Sequence, residues 1–381
     1  MSRKALIVAG TASMISQFNM LNIEVLQEYG YDVEIACNFF HGNNIDEEEK
    51  ERFRNELKEK NIVVHQIDFT RNFFRVFQHI KAYTQLKKLK KSTHYDLVHC
   101  HMPISALITK FTFRHERKKG TRVMYTAHGF HFFKGAPLKN WILLYPLEKI
   151  SSMWLDSLIL INTEDFERAK RKMLAKKVYL TPSVGVDIDR FKNYKGNRDS
   201  VLKELNIPSD AFVILSVGEL IHKKNHMSVL KALDKTKNPN IYFVVVGIGA
   251  DTFLLNETVK QMNLTNNVRF LSYQKEIEKI YHACDCLVHV PFREGLGMAP
   301  LEAMACGKPL ISSYINGIKD YTENEVSGLC VSPFSVDEIA DAINRMYEDK
   351  DLREKCSLNN VKTVMKYDKS NTRKLLEEVY K

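Results

Sequence analysis

Short apolar runs alternate with longer amphipathic ones along the whole chain, and this rhythm leaves few folds open. "ALIVAG" (5–10) leads into the helical "SQFNMLNIEVLQEYG" and then "DVEIAC"; "DLVHCH" (96–101), "RVMYTAH" (122–128), "SLILIN" (157–162) and "KVYLTP" (177–182) follow. After the loop around "VGVDIDRFKNYKGNR" the pattern restarts with "FVILSVGE" (212–219), "IYFVVVG" (241–247), "VRFLS" (268–272), "CLVHV" (286–290) and "PLISS" (309–313). Strands apolar on both faces and separated by helices make a parallel, doubly wound sheet. Two such series, joined near 183–196, predict an α/β chain of two Rossmann-like domains, residues 1–185 and 196–361. The tail 362–381 is expected to pack back on the first. Ligands of open α/β sheets sit at the carboxyl ends of the strands, so two facing domains would hold theirs in the cleft between them.

The 381 residues suffice for two domains, and 44% hydrophobic content is that of a globular chain. Runs such as "WILLYPL" are too short to cross a bilayer. The opening "MSRKALIVAG" has charge before an apolar run, as a signal peptide does, but the run is short and ends in a glycine turn, so it reads as a first buried strand. Seven cysteines at irregular spacing make no disulfide or zinc pattern and suit a reducing cytosol. The net charge of +10 is uneven: residues 1–190 hold 30 Lys/Arg against 21 Asp/Glu, and the second half is nearly balanced. Such asymmetry points the first half toward a polyanion, whether membrane surface, phosphorylated acceptor or nucleic acid, or else marks a merely soluble basic face.

Chemistry-bearing residues gather where the strands end. Gly10 and Thr11 follow the first strand, His99 and His101 end "DLVHCH", and His128 and Gly129 end "RVMYTAHG". Gly218 follows "FVILSV", Gly247 and Gly249 follow "IYFVVV", and Glu294 comes after "CLVHVPFR". In "FREGLGMAPLEAMACGKPL", Glu294 stands in a glycine turn and Glu302, eight positions on, in the first part of a helix opened near Pro300 and closed at Gly307 and Pro309. The N–H groups of "GLGMAP" suit a diphosphate. Carboxylates would repel that diphosphate and are better placed on hydroxyls either side of it. A nucleoside diphosphate sugar offers both kinds of group. The plainer reading is a solvated carboxylate in each place.

Here the segment resembles a known family. "EGLGMAPLE" resembles the Glu–seven–Glu motif of family-4 retaining glycosyltransferases of GT-B fold, and the likeness covers nearly the whole chain. "SVGELIHKKNH" (216–226) is similar to the family's phosphate-binding loop, "VGIG" to its next glycine turn, "TPSVGVDIDRF" to its interdomain segment and "YTAHGFHFF" to its histidine loop. "AHGFHFFKGAPLKNW" and "INTEDFERA" resemble the bacterial capsule and exopolysaccharide branch. The resemblance implies that Glu302 holds the ribose, Glu294 orients donor-sugar hydroxyls, and Lys224 contacts the diphosphate. It implies that backbone N–H groups around Gly295, Leu296, Gly297 and Met298 receive sugar and phosphate oxygens. His128 would lie near the reacting carbon or the sugar's primary hydroxyl, and Gly10, Thr11, Gly218 and Gly247 would line the donor. Where many members carry arginine after the first glycine, this chain has Glu219; Arg293 or Lys223 could substitute.

The reaction so implied transfers a sugar, an N-acetylhexosamine or a relative, from a UDP-sugar with retention. The base is assigned as uracil by family habit. The leaving phosphate, rather than a carboxylate nucleophile, would deprotonate the acceptor. No Asp-x-Asp motif follows a strand in the donor segment, so neither metal nor cofactor is expected. His99 and His101 of "HCH" lack further zinc ligands nearby in sequence; His101 and His131 are acceptor-side candidates, with core or surface histidines as the plainer reading. Rival functions are a GT-B sugar-nucleotide epimerase, a dehydrogenase, and a non-catalytic protein binding sugar nucleotides or nucleic acid. "GIGADT" has only part of a dinucleotide fingerprint. On the acceptor side, "RNFFRVFQHIKAYTQLKKLKK" (71–91) has seven Lys/Arg and no acid, with Phe73, Phe77, Ile80 and Tyr83 spaced for one helical face. It reads as a basic helix for an anionic membrane, or as an ordinary helix turning its stripe inward. The expected partners are thus a UDP-sugar, a polyisoprenyl-diphosphate-linked saccharide and an anionic membrane, with no nucleic acid. The expected place is the cytoplasmic face of the bacterial cell membrane.

Overall fold

Alternate residues of the first strands enter two different cores, which is why no polar face shows along them. The computed structural model describes residues 3–43, 45, 47–182 and 184–381. Seven strands, β1 (Arg3–Val8), β2 (Tyr31–Cys37), β3 (Val63–Gln66), β4 (Leu97–His101), β5 (Arg122–Ala127), β6 (Ser157–Leu160) and β7 (Lys177–Leu180), form a parallel sheet ordered β3-β2-β1-β4-β5-β6-β7. Leu6 and Val8 join Val98, Tyr125 and Leu160 on one face. Ala5 and Ile7 join Ile35, Met124 and Ile159 on the other. Helices must cover both faces of such a sheet.

A second parallel sheet contains β8 (Phe212–Val217), β9 (Ile241–Val246), β10 (Val268–Leu271), β11 (Cys286–His289), β12 (Leu310–Ser313) and β13 (Gly328–Val331), ordered β10-β9-β8-β11-β12-β13. In each sheet the order reverses once, between β1 and β4 and between β8 and β11. A doubly wound sheet opens a crevice at that switch point. Gly10, Thr11 and His101 follow or end strands at the first switch; Gly218 and Glu294 follow strands at the second.

The chain divides into two compact units, Met1–Val184 with Ser370–Lys381, and Gly185–Lys369. The crossing to the first unit therefore comes at 370, and residues 362–369 stay with the second. The returning helix Lys369–Tyr380 places Leu376, Val379 and Tyr380 in the core with Ala5 and Ile7. The Tyr380 hydroxyl is 2.7 Å from His99 Nδ1 and accepts from Asn22 Nδ2 at 2.9 Å; Arg122 donates to the Tyr380 carbonyl at 2.9 Å. That last bond satisfies a carbonyl at the helix end that has no partner within the helix.

The basic stretch is a helix only over Val76–Ser92. Its inward residues are Ala82, Leu86 and Leu89, whereas Phe74 and Phe77 are each 89% exposed and Ile80 is 53% exposed. The apolar stripe of 73–83 thus faces outward over most of its length. Among the described residues no helix is long and apolar enough to cross a membrane.

Candidate active site

In the second unit the strand ends bring opposite charges together. Lys224 follows the turn after Gly218, and its ammonium is ion-paired with Glu294 Oε2; both side chains are largely buried. The aliphatic part of Lys224 runs 3.7 Å from the position a Cβ on Gly218 would take. Burial pushes the Glu294 carboxyl upward, but the charge of Lys224, the nearby His289 and Lys223 outweigh it and hold it well below the usual range. His289 Nε2 is 3.5 Å from the same oxygen, and burial lowers the pKa of that imidazole. Burial also lowers Lys223, which feels Glu294, Lys224, Arg293 and Glu219. Glu219, which stands where the family often has arginine, is thus within electrostatic reach of Lys223.

Two glycines permit this packing. A Cβ on Gly247, whose φ is +148°, would lie 1.9 Å from the Gly218 carbonyl oxygen, so the two turns can touch only without a side chain. Gly297, at φ +87°, precedes the helix Met298–Ala305; a Cβ there would come within 3.2 Å of Glu294 Cγ and His289 Nε2. No side chain caps this helix. Pro300, in its first turn, costs no intrahelical bond because the first N–H groups have no partner within the helix. The Gly295 N–H donates to Glu294 Oε1 at 3.2 Å, so it orients the carboxylate. Leu296 is buried, and its carbonyl accepts from the Tyr321 hydroxyl at 2.7 Å. Glu302 lies one turn into the helix, where the Tyr281 hydroxyl donates to its Oε2 at 2.8 Å. Burial raises the Glu302 pKa against the opposing pull of that bond and of Arg190. The two glutamates are therefore unlike: one is locked ionised by cations, the other is half-buried and held mainly by a neutral phenol.

The first unit's strand ends hold imidazoles instead. His101 Nδ1 and His128 Nε2 are 3.3 Å apart, and the His99 and His101 rings are 4.3 Å centre to centre. Burial lowers all three: His99 to about 3, His101 well below 6.5 and His128 to about 4. At neutral pH the pair His101–His128 carries no net charge and shares one N–H, one ring donating to the other. His101 Nε2 is buried without a hydrogen-bond partner. His99 is anchored on Thr126 Oγ1 at 2.8 Å and on Tyr380. The loop after His128 is held by Asp165, whose Oδ2 accepts the Phe130 N–H at 2.8 Å, and by the His131 carbonyl, which accepts from Asn140 at 2.7 Å. Thr11 is buried with its hydroxyl 3.2 Å from that of Ser13, and Gly10 lies against Met102.

Comparison with known proteins accounts for both halves. Residues 6–162 match the model of the glycosyl transferase 4-like family and residues 197–363 that of glycosyl transferases group 1. EpsD of Bacillus subtilis strain 168, provisionally named a glycosyltransferase, is 32% identical over 80% of this chain and 81% of its own length. The chain belongs to the glycosyltransferases. An Escherichia coli enzyme named UDP-Gal:alpha-D-GlcNAc-diphosphoundecaprenol alpha-1,3-galactosyltransferase is 29% identical over 71% of each chain. The solved structure of Anabaena HepE with UDP and glucose superposes with a TM-score of 0.79 over 99% of both chains at 18% identity, which establishes the shared GT-B fold of this glycosyltransferase.

Sequence reasoning missed His289, Tyr281 and Tyr321. His289 ends the strand "CLVH", and its period-2 position is the signal that could have marked it. The two tyrosines come from separate elements and reach Glu302 and Leu296 only through the fold.

Proposed function

We propose that this glycosyltransferase moves a sugar, with retention, from a UDP-sugar to a lipid-linked saccharide during capsular or exopolysaccharide synthesis. The observation that carries the donor assignment is the array Lys224–Glu294–His289 followed eight residues on by Glu302 on Tyr281. An ionised carboxylate beside cations accepts sugar hydroxyls without leaving the diphosphate unneutralised. Glu302, with one oxygen on Tyr281, has lone pairs for the ribose hydroxyls. As the anomeric C–O bond breaks, negative charge grows on the departing diphosphate, where Lys224 and Lys223 or Arg293 stabilise it. The acceptor hydroxyl attacks on the same face, its oxygen bonding to the anomeric carbon and its proton passing to a leaving phosphate oxygen. His128, neutral at pH 7, can hydrogen-bond a sugar hydroxyl without setting a positive charge beside the electron-poor carbon. No step calls for a metal ion.

The donor and acceptor classes draw support from the relatives. The E. coli enzyme is named for UDP-galactose and a diphosphoundecaprenol-linked acceptor. A Campylobacter jejuni relative, 23% identical over 84% of this chain, is named for a diphospho-undecaprenol-linked acceptor and an N-acetylgalactosaminyl group. We place the protein at the cytoplasmic face of the membrane, with the basic first half toward anionic lipid. Lys81, Lys87, Lys88 and Lys91 are the exposed lysines of that helix, Lys81 being paired with Asp68 at 2.7 Å, while Lys90 is drawn to the Thr112 carbonyl at 3.2 Å and Glu116 at 3.3 Å. The test is to incubate the enzyme with a panel of UDP-sugars and a polyprenyl-diphosphate saccharide, and to assay UDP release and the anomeric proton of the product. Acceptor-dependent UDP release with a retained anomer is expected. UDP release that needs no acceptor, with an epimerised sugar, would replace this reading by an epimerase.

A further inference from the structure

The first unit carries an apolar groove that the donor chemistry does not use. Its floor is the helix Pro103–Phe113, which starts directly after β4 and His101. Its walls are the helices Val76–Ser92 and Leu138–Ser152. Tyr83, Phe111 and Trp154 form a ring ladder across it, with centroids 5.5 Å and 5.9 Å apart, and Ile108, Leu147 and Ile150 complete a cavity of about 350 Å³. The lining is almost wholly hydrocarbon and aromatic. Leu147 is 41% and Ile150 56% exposed, so folding has not closed the groove.

Two stripes lead into it. On one wall Val76, Ile80 and Tyr83 share a face by helical spacing; on the other, Leu143, Leu147 and Ile150 do. Val76, Ile80 and Leu143 are all more than half exposed. Crossover helices run antiparallel to their strands, so the amino ends of all three helices lie at the strand carboxyl ends, with His101 and His128. At those amino ends stand exposed cations: Arg71 and Arg75 before one wall, Lys134 and Lys139 at the other. No acid occurs between 71 and 91. A molecule that fits this surface has an anionic head toward the reacting end and a hydrocarbon chain running about 16 Å along the floor helix.

We propose that this groove binds the prenyl chain of the acceptor's polyprenyl diphosphate, with Arg75 and Lys139 beside the diphosphate and the chain seated over Tyr83, Phe111 and Trp154. The assignment rests on the reading that the acceptor is lipid-linked. Phospholipid acyl chains of a bilayer, or a second copy of this chain, would cover the same surface differently, and the test separates them.

The protein contains two tryptophans, and Trp141 packs against Phe132 and Tyr145. In full-length Trp141→Phe protein, Trp154 emission therefore reports on the groove. Farnesyl diphosphate should shift that emission to the blue and saturate, whereas inorganic diphosphate should not. Ile150→Glu, placed at an exposed position, should fold normally by thermal melting, weaken farnesyl diphosphate at least tenfold, and leave UDP affinity unchanged. Arg75→Glu with Lys139→Glu should weaken farnesyl diphosphate but not farnesol. No emission shift with farnesyl diphosphate, or an equal response in Ile150→Glu, overturns the groove while UDP binding keeps the donor reading intact. A shift seen only with anionic phospholipid vesicles assigns the face to the bilayer and overturns it too, as does a change of oligomeric state in Ile150→Glu by ultracentrifugation. If farnesyl diphosphate binds at Trp154 but transfer proceeds only to lipid-free saccharides, the acceptor reading itself falls.

Discussion

The two units solve the same placement problem with opposite electrostatics. Both put functional groups at the switch point of a parallel sheet, and both hold key groups at lowered pKa. In the second unit Glu294 is low because burial is outweighed by the charges of Lys224 and Lys223 and by the neighbouring His289 imidazole, so the charged form is favoured. In the first, His101 and His128 are low because burial disfavours charge and nothing offsets it. At pH 7 one site is an array of fixed ions and the other a neutral polar cluster. A diphosphate and its sugar need ions to bind and to leave; a carbon losing its leaving group gains nothing from a cation beside it. Substitutions in the second unit should therefore alter donor binding and rate together, and those in the first should alter rate alone.

The largest effect is expected from Lys224→Ala. Removing a preorganised cation from the leaving group should lower kcat/KM by about a hundred- to a thousandfold, on the scale of about 2.7–4 kcal/mol for one such contact. It should also release Glu294 from its partner, so a Lys224→Ala, Glu294→Gln double variant should fall by less than the sum of the single changes. Strict additivity in steady-state UDP release would show that the ion pair has no functional coupling. Next comes Glu302→Ala, which should weaken UDP about ten- to a hundredfold by calorimetry, the loss of about 1.5–3 kcal/mol from a hydrogen bond to a charged group. Unchanged affinity in a folded variant would remove Glu302 from the ribose. His128→Asn should cost turnover about tenfold, as for one neutral hydrogen bond, with UDP affinity untouched. A matching loss of UDP affinity would break the contrast between the units.

Much of this was legible beforehand, and the gaps have a common cause. The buried strands and the glutamate segment announce themselves locally, because a strand apolar on both faces and a glycine turn before a helix need no distant partner. The edge strands β3 and β13 leave no such local mark. β3 has no fully buried residue, and β13 is four residues long and starts at a glycine, so neither shows an unbroken apolar run. The partners of the glutamates were invisible for a different reason: Tyr281 meets Glu302 across 21 residues and Lys224 meets Glu294 across 70. The basic helix shows the limit of periodicity. Its spacing predicts an apolar face but cannot say that Phe74 and Phe77 point to solvent while Leu86 and Leu89 pack inward.

A smaller effect separates the two glutamates by pH. Glu302 has a raised pKa, so its carboxylate is lost as pH falls through a value above the ordinary 4.5, while Glu294 stays ionised over that range. Uridine, which has no phosphate to titrate, should therefore bind progressively more weakly on acidification, by up to tenfold per pH unit below the Glu302 pKa. Glu302→Gln should flatten that limb and Glu294→Gln should leave it in place. If the Glu294 variant flattens it instead, the two carboxylates have been assigned the wrong ends of the donor.

The smallest expected effect is none at all, from EDTA. On the proposed reading the diphosphate meets fixed cations: Lys223 is within electrostatic reach of both Lys224 and Arg293. A divalent ion there would be repelled by those cations, and Glu294 already has its lysine. The histidines of the first unit offer an apparent alternative, but both nitrogens of His99 are engaged, by Tyr380 and Thr126, and His101 Nδ1 is turned to His128, which leaves His101 Nε2 without a partner there. Among the described residues no group of three His, Cys, Asp or Glu side chains could hold a metal ion. Transfer rates should thus be the same with EDTA and with added Mg²⁺ or Mn²⁺. Loss with EDTA and recovery with Mn²⁺ would mean that the fixed cations do not suffice for the leaving diphosphate, and the division between an ionic and a neutral unit would have to be redrawn around a third charge.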